Sequence, residues 1–187
     1  MRWASAALAL TLAAPAAALT PVSDFEVAKY NGLWYEVAAI PGAFQNRCAR
    51  DAQSEYVPGE DGALIIRSRC TQTEGGTYEA EGRARALDPG VPSVLKVTYI
   101  YKLGIWWYPL GRNQVVIGSG RNYEWIVIGD PSLKYGRIIA RQPALPVEAL
   151  KTAAGVLAAE GFDLCTFVAK PQTGGRQQAA RLCDEVK

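Results

Sequence analysis

The chain has 187 residues, 49% of them apolar and 20% charged, with a formal net charge of +2. That suffices for one domain with a full core and not for two. So small a basic excess, with no basic run interleaved with aromatics, gives no nucleic-acid footprint. The chain has no histidine at all, which removes the Ser-His-Asp triad, the Cys-His pair, His-ligated haem and the ordinary zinc site together.

In chain order, residues 1–18 read as a secretory signal. Arg2 precedes an Ala/Leu run, and Ala16-Ala17-Ala18 offers small residues for cleavage before Leu19. The run is too short to span a membrane and is interrupted by Pro15. No Cys follows the cleavage point, so no lipid anchor is expected. Four Cys, an even number, suit an oxidising compartment. The expected product is a soluble periplasmic or secreted protein.

Eight strand-like segments follow. Leu33 to Ile40 is aromatic and β-branched and is closed by Pro41-Gly42; residues 42–46 form a loop. Ala52–Val57 alternates as a second strand, and Pro58-Gly59-Glu60-Asp61-Gly62 is a hairpin turn into a third, Ala63–Cys70. Thr77–Leu87 is the fourth. Ser93–Tyr101 is the fifth, with Leu95, Val97, Tyr99 and Tyr101 on one face. Asn113–Gly118, Tyr123–Ile128 and Leu133–Ala140 complete the set. Short strands joined by short turns describe a meander closing on itself rather than βαβ units.

One helix breaks the pattern. Pro146 sits at its start, Val147, Leu150, Ala154 and Leu157 share a face, and Gly161 stops it. That face must lie on the outside of the sheet. A short extended piece, Thr166 to Val168, and a polar tail from Pro171 follow. The expected organisation is a signal over 1–18, a barrel plus helix over 19–170, and a tail over 171–187 tied by a disulfide.

The stretch Tyr30-x-Gly32-x-Trp34-Tyr35-Glu36 resembles the first signature of the lipocalins, small β-barrels that carry apolar ligands. Tyr56…Asp61-Gly62, Glu81-Gly82-x-Ala84 and Leu95-x-Val97 fall where bacterial lipocalins and apolipoprotein D, the nearest branches, place them. Ile138-Ile139-Ala140-Arg141, followed by Pro143 and Leu145-Pro146, is similar to the third family motif. The second motif, normally Thr-Asp-Tyr, is replaced by Gly120-Arg121-Asn122-Tyr123. The resemblance covers residues 25 to 170. It implies an all-β fold: an eight-stranded antiparallel up-and-down β-barrel with one C-terminal α-helix packed outside. Gly32, Trp34 and Arg141 become structural, the Trp plugging the closed end and the Arg packing across it.

Matching strand by strand turns Ser54, Tyr56, Leu64 and Ile66 toward the lumen. Ala80, Gly82, Val97 and Tyr99 follow on the next two strands, then Ile126, Ile128, Tyr135 and Ile139. Small residues on the fourth strand would leave volume there. Glu36 and Arg137 share the inward parity. Arg137 either receives a ligand carboxylate or phosphate or pairs with Glu36 or a wall carboxylate, since an unpaired buried guanidinium is costly. Residues 102–110, with Trp106 and Trp107, join the fifth and sixth strands at the end that is open in the family. They form either a lid on the pocket or a rim touching a membrane surface.

The resemblance implies a periplasmic lipid-binding carrier for a fatty acid, lysophospholipid or similar amphiphile, with no catalytic residue, metal or cofactor. The alternative is a carrier of a larger pigment such as a carotenoid or tetrapyrrole. An enzyme on the same barrel would need a free, inward cysteine. The hairpin about Gly59 to Gly62 brings Cys48 near Cys70, which leaves Cys165 for Cys183. The resemblance to apolipoprotein D implies Cys48 with Cys183 and Cys70 with Cys165 instead.

Overall fold

A computed structural model describes residues 18–187; the signal reading falls on residues that, apart from Ala18, lie outside the described ones. Short helix α1, Val27–Tyr30, leads into β1, Gly32–Ala39. Strands β2 (Cys48–Pro58), β3 (Leu64–Gln72), β4 (Thr77–Ala86) and β5 (Val94–Thr98) follow. Two-residue strands β6, Tyr101–Lys102, and β7, Ile105–Trp106, form a separate hairpin arm. The main sheet resumes with β8 (Arg112–Ser119), β9 (Trp125–Gly129) and β10 (Gly136–Ala140). Apart from the arm, consecutive strands pair antiparallel, and β10 returns to β1 with Tyr35 opposite Ala140 and Ala39 opposite Arg137. The result is the expected closed eight-stranded barrel.

Two apolar cores explain the sequence pattern. Inside the barrel, Trp34, Tyr56, Ile66, Ile126, Ile128 and Ile139 pack with Phe25 and Tyr30 from the N-terminal segment. Outside, Val115, Ile117, Trp125, Val127, Ile138 and Ala140 present the opposite faces of β8 to β10 to helix α2, Val147–Ala159. β9 and β10 are therefore buried on both sides along their whole length. That is why they read as near-continuous apolar runs rather than as alternation.

The helix packs through Ala153, Ala154 and Leu157, whereas Val147, expected on that face, is exposed. Ala153 faces the sheet because α2 approaches very closely: a Cβ on Gly118 would sit 2.9 Å from Val156 Cγ1. The helix ends at Gly161, whose φ of +87° lets Phe162 N–H bond back to Leu157 O at 3.0 Å.

Several expected strand limits move. The last barrel strand starts at Gly136 rather than Leu133, because Leu133 lies in the preceding turn at φ +57°. Trp125, not Tyr123, opens β9. Tyr123 belongs to a 3-10 turn (Arg121–Tyr123), and its hydroxyl accepts from Glu26 N–H at 2.6 Å. The divergent second motif thus still tethers the N-terminal segment. β5 stops at Thr98, so Tyr101 leaves the barrel wall and is 57% exposed.

Tyr56 lies opposite Ile66. Two register shifts between Cys48 and Gln53 then place Cys48 opposite Gln72 and within 5.5 Å (Cα to Cα) of Cys70. The bridges are Cys48–Cys70 and Cys165–Cys183, as the hairpin geometry indicates and against the family precedent. Replacing Cys48 and Cys70 together by Ala removes a cross-link over 22 residues. The expected loss is about 3 kcal/mol in the chain-entropy model, read by denaturant unfolding.

The tail does more than hang on its disulfide. β1 pairs with β2 only from Gly32 to Tyr35. Beyond that the strands part, and β11, Val168–Ala169, takes the vacated edge at Ala38 and Ala39. β11 itself pairs with β12, Ala180–Arg181, which runs into α3, Leu182–Glu185. Gln172 is 1% exposed and donates through Nε2 to Glu36 O at 3.0 Å and Ala52 O at 2.9 Å, bridging the split.

Candidate functional site

The closed end is built from Trp34. It is fully buried, donates from Nε1 to Tyr30 O at 2.7 Å, and carries the Arg141 guanidinium over its ring at 3.7 Å. Arg141 also donates to Leu33 O, Asn31 O and Lys29 O at 2.9, 2.8 and 2.6 Å. Gly32 permits this approach, with φ +97° and a would-be Cβ 3.2 Å from Arg141 Nη1. The cation is held by backbone acceptors and an aromatic face rather than by a carboxylate.

Above this floor the barrel opens into a cavity of about 330 Å³. Its wall includes Ala80, Val97, Tyr99, Tyr135 and Arg137, five of the residues singled out from the sequence. Tyr56, Leu64, Ile66, Ile126, Ile128 and Ile139 also point inward, but they are packed into the floor and do not line the cavity. Space at Gly82 is taken by the Tyr99 ring, whose Cε1 would lie 2.8 Å from a Cβ there. Trp106 and Trp107 are not in the cavity wall either.

The rest of the wall was not singled out from the sequence. The β1–β2 loop supplies Phe44, Gln45 and Arg47; Tyr78 comes from β4, and Arg112 and Gln114 from β8. Gln45 Nε2 reaches down to Glu36 Oε2 at 3.1 Å, and Lys170 Nζ holds Gln45 O and Cys48 O at 3.0 Å each. The loop therefore sits as a fastened cover on one side of the mouth. Its aromatic and polar letters in a nominal loop were the only available signal.

Polar groups collect where cavity meets floor. Arg137, 5% exposed, donates from Nη2 to the Tyr56 hydroxyl, and its buried Nε has no partner among the described residues. No carboxylate oxygen lies within 4.0 Å of it among those residues, so neither Glu36 nor a wall carboxylate pairs with it, the second of the two alternatives. Burial opposes the Arg137 charge, but the Tyr135, Tyr56, Tyr30 and Tyr99 phenol groups around it push its pKa up. Burial pushes Glu36 above the ordinary carboxylate range against the pull of Arg137, Gln45 and Lys170. Burial likewise pushes the Tyr135 phenol up, so it stays neutral. Ser54, Ser68 and Tyr99 form a hydroxyl chain at 2.9 and 3.2 Å, and Gln114 Nε2 contacts the Tyr135 hydroxyl at 3.5 Å.

A larger depression, about 570 Å³, lies among Glu55, Arg67, Arg69, Glu79 and Glu81. These alternate with the inward residues of β2 to β4 and so belong to the outer face; Arg67 pairs with Glu55 and Glu81 at 3.8 Å each. A charged, self-paired surface does not suit an apolar ligand, and the smaller cavity is the candidate site.

The 102–110 segment does not cover the mouth. Trp106 stacks on Arg83 at 4.8 Å and Tyr108 on Arg85 at 4.1 Å, both on β4 positions that alternate with inward Gly82 and Ala84. The arm thus folds along the outside of β4 and leaves Leu103 92% exposed and Ile105 57% exposed. All four cysteines are bridged, so the cysteine-based enzyme reading has no thiolate to use. Among the described residues no cluster of three or more His, Cys, Asp or Glu is placed to hold a metal, and no helix is long and apolar enough to cross a membrane.

Comparison with known proteins accords with this geometry. The family model described as a lipocalin-like domain matches residues 25–172. The outer membrane lipoprotein Blc of Vibrio cholerae is 30% identical over 76% of this chain and 80% of its own length. Apolipoprotein D of Macaca fascicularis is 26% identical over 77% of the chain and 76% of its own. Among solved structures, insecticyanin of the tobacco hornworm Manduca sexta superposes with a TM-score of 0.65 at 14% identity, covering 87% of this chain and 93% of that one.

Proposed function

The chain belongs to the lipocalin family, and on that footing we propose that it carries a small single-chain amphiphile, such as a fatty acid or lysophospholipid, in the mouth of its barrel. The family assignment supplies ligand binding and transport as the general role. The observation that carries the finer reading is the cavity itself. It joins apolar walls at Phe44, Ala80 and Val97 to three arginines, Arg47, Arg112 and Arg137, with no carboxylate in its lining. Its volume of about 330 Å³ is near the lower end of the 300 to 1,000 Å³ typical of ligand pockets. That size suits one acyl chain better than a carotenoid or tetrapyrrole. Two disulfides, and a relative named as an outer membrane lipoprotein, support action in the cell envelope.

Titrating the protein with hexadecanoic acid while following Tyr and Trp emission should give saturable one-to-one binding. Filling the wall by Ala80→Phe should abolish it without unfolding the barrel. Failure of the wild-type protein to bind any single-chain amphiphile would remove the proposal.

Delivery to or from a bilayer is part of the same reading, and the arm supports it. Tyr101, Leu103 and Ile105 project apolar surface beside Lys102, Arg83 and Arg85. Exposed aliphatic tips next to cations suit an anionic lipid surface. Wild-type protein should co-sediment with vesicles containing phosphatidylglycerol, and Leu103→Asp with Ile105→Asp should reduce the bound fraction to background. Undiminished co-sedimentation of the double variant would take the arm out of the membrane contact.

A further inference from the structure

We propose that the ligand enters head-first: its anionic group, a carboxylate or a phosphate, descends to Arg137, and its alkyl chain runs back toward the mouth beneath the β1–β2 loop. The inference rests on the carrier reading above and adds to it a polarity and a head-group class.

Three independent features of the site lead there. The Arg137 guanidinium is incompletely satisfied. It gives one hydrogen bond, to the Tyr56 hydroxyl, while its Nε is buried and unpartnered beside the cavity. A buried donor left unmade is costly, and a guanidinium presents its donors in a fork that matches a carboxylate or phosphate. An arriving anion supplies the missing acceptor.

The sign of the cavity agrees. Arg47 and Arg112 sit in the wall with Arg137, held over the rings of Tyr78 at 5.1 Å and Tyr135 at 5.0 Å. Two buried carboxyls, Glu36 and Asp130, are outside the lining. Glu36 is engaged by Gln45, and Asp130 pairs with Arg112 at 3.9 Å, which leaves Arg137 as the buried wall cation with no carboxylate partner among the described residues. Tyr135 adds a donor, since its hydroxyl meets Gln114 Nε2 as an acceptor and keeps its own proton.

The third feature is where apolar room exists. Below Arg137 the space is filled: Tyr56 and Tyr30 stack with centroids 4.3 Å apart, and Tyr56, Ile66, Ile128 and Ile139 are each no more than 1% exposed. An alkyl tail cannot go deeper than the guanidinium. Ala43, Phe44, Tyr78, Ala80 and Val97 lie in the wall of the open cavity above that filled layer. A tail-first ligand would set its chain end against a charged, half-satisfied arginine and leave the buried Nε without an acceptor.

The test is calorimetric titration of the wild-type protein with hexadecanoic acid, hexadecyl phosphate, methyl hexadecanoate and hexadecan-1-ol. Head-first binding predicts that at least one acid binds about tenfold or more tightly than both neutral ligands, the scale of a charge-assisted hydrogen bond. The tighter of the two acids identifies the head group. Arg137→Leu should bring acid and ester to equal affinity. Equal binding of all four by the wild-type protein would overturn head-first insertion and leave the carrier reading standing; no binding of any would remove both. Should Arg137→Leu fail to fold, the carboxyl carbon resonance of labelled hexadecanoate bound to wild-type protein decides. A signal that stays ionised well below the free acid's titration range supports contact with Arg137. One that titrates like the free acid overturns it.

Discussion

Replacing Trp34 by Ala is expected to lower unfolding stability by about 3–5 kcal/mol, the range for deleting a fully buried Trp. The side chain is wholly inaccessible and meets Tyr30 at 5.7 Å on one side and the Arg141 cation at 3.7 Å on the other. Removing it leaves a hole at the base of the barrel and leaves Arg141 without its aromatic face. Arg141→Met should also be costly, because the carbonyls of Leu33, Asn31 and Lys29 lose their shared donor. The two substitutions touch one cluster, so the double variant should lose less than the sum of the singles. Urea unfolding of the four proteins measures this. A Trp34→Ala loss under about 1 kcal/mol, a size ordinary point substitutions reach, would mean that the plug is not what closes the barrel.

Gln172→Ala should be the second largest loss, about 2–4 kcal/mol, although the residue lies in a polar tail. Its Nε2 satisfies two buried carbonyls, Glu36 O and Ala52 O, at the point where β1 and β2 separate. Each buried acceptor left open costs roughly 1–3 kcal/mol. Around it, Asp51 N–H donates to Pro171 O at 3.0 Å and Thr173 N–H to Asp51 Oδ1 at 2.5 Å, so the wedge is held on both sides. Amide exchange should quicken at the β1–β2 seam, in the residues from Glu36 to Ala39 and at Ala52. A change within about 0.5 kcal/mol, as at an ordinary surface position, would show that the tail is merely draped over the seam.

These two positions mark what the sequence made readable and what it left hidden. Trp34 announced itself through Gly32, Tyr35 and the distant Arg141, because a positive-φ glycine, a plug and a covering cation are local demands with local letters. Alternation likewise gave the inward faces of β2 to β5. Gln172 gave no such sign, since its partners are carbonyls more than a hundred residues away and any polar tail residue looks alike in one dimension. The Cys48–Cys70 bridge followed from a hairpin, although two register shifts were needed to bring the pair together. Tyr123 and Leu133 were misplaced in strands because apolar letters can also close turns at positive φ.

The candidate site was legible in part for the same reason. Parity put Tyr99, Tyr135 and Arg137 inside, but it cannot separate a residue packed into the floor from one facing open space. Tyr56 and Ile128 fell on the first side of that line and Val97 on the second. The loop residues Phe44, Gln45 and Arg47 carry no periodicity at all. The Trp106-Trp107 pair left a lid and a membrane rim equally open through composition alone, and the cation–π contacts of Arg83 and Arg85 draw its arm to the outer wall, away from the mouth.

The central claim is that the barrel mouth holds one single-chain anionic amphiphile. Native mass spectrometry of the protein isolated from its native host tests it most directly. The expected result is a one-to-one complex whose added mass, released in organic solvent, is that of a fatty acid or a lysophospholipid. A complex carrying a two-chain lipid, a carotenoid or a tetrapyrrole would contradict it.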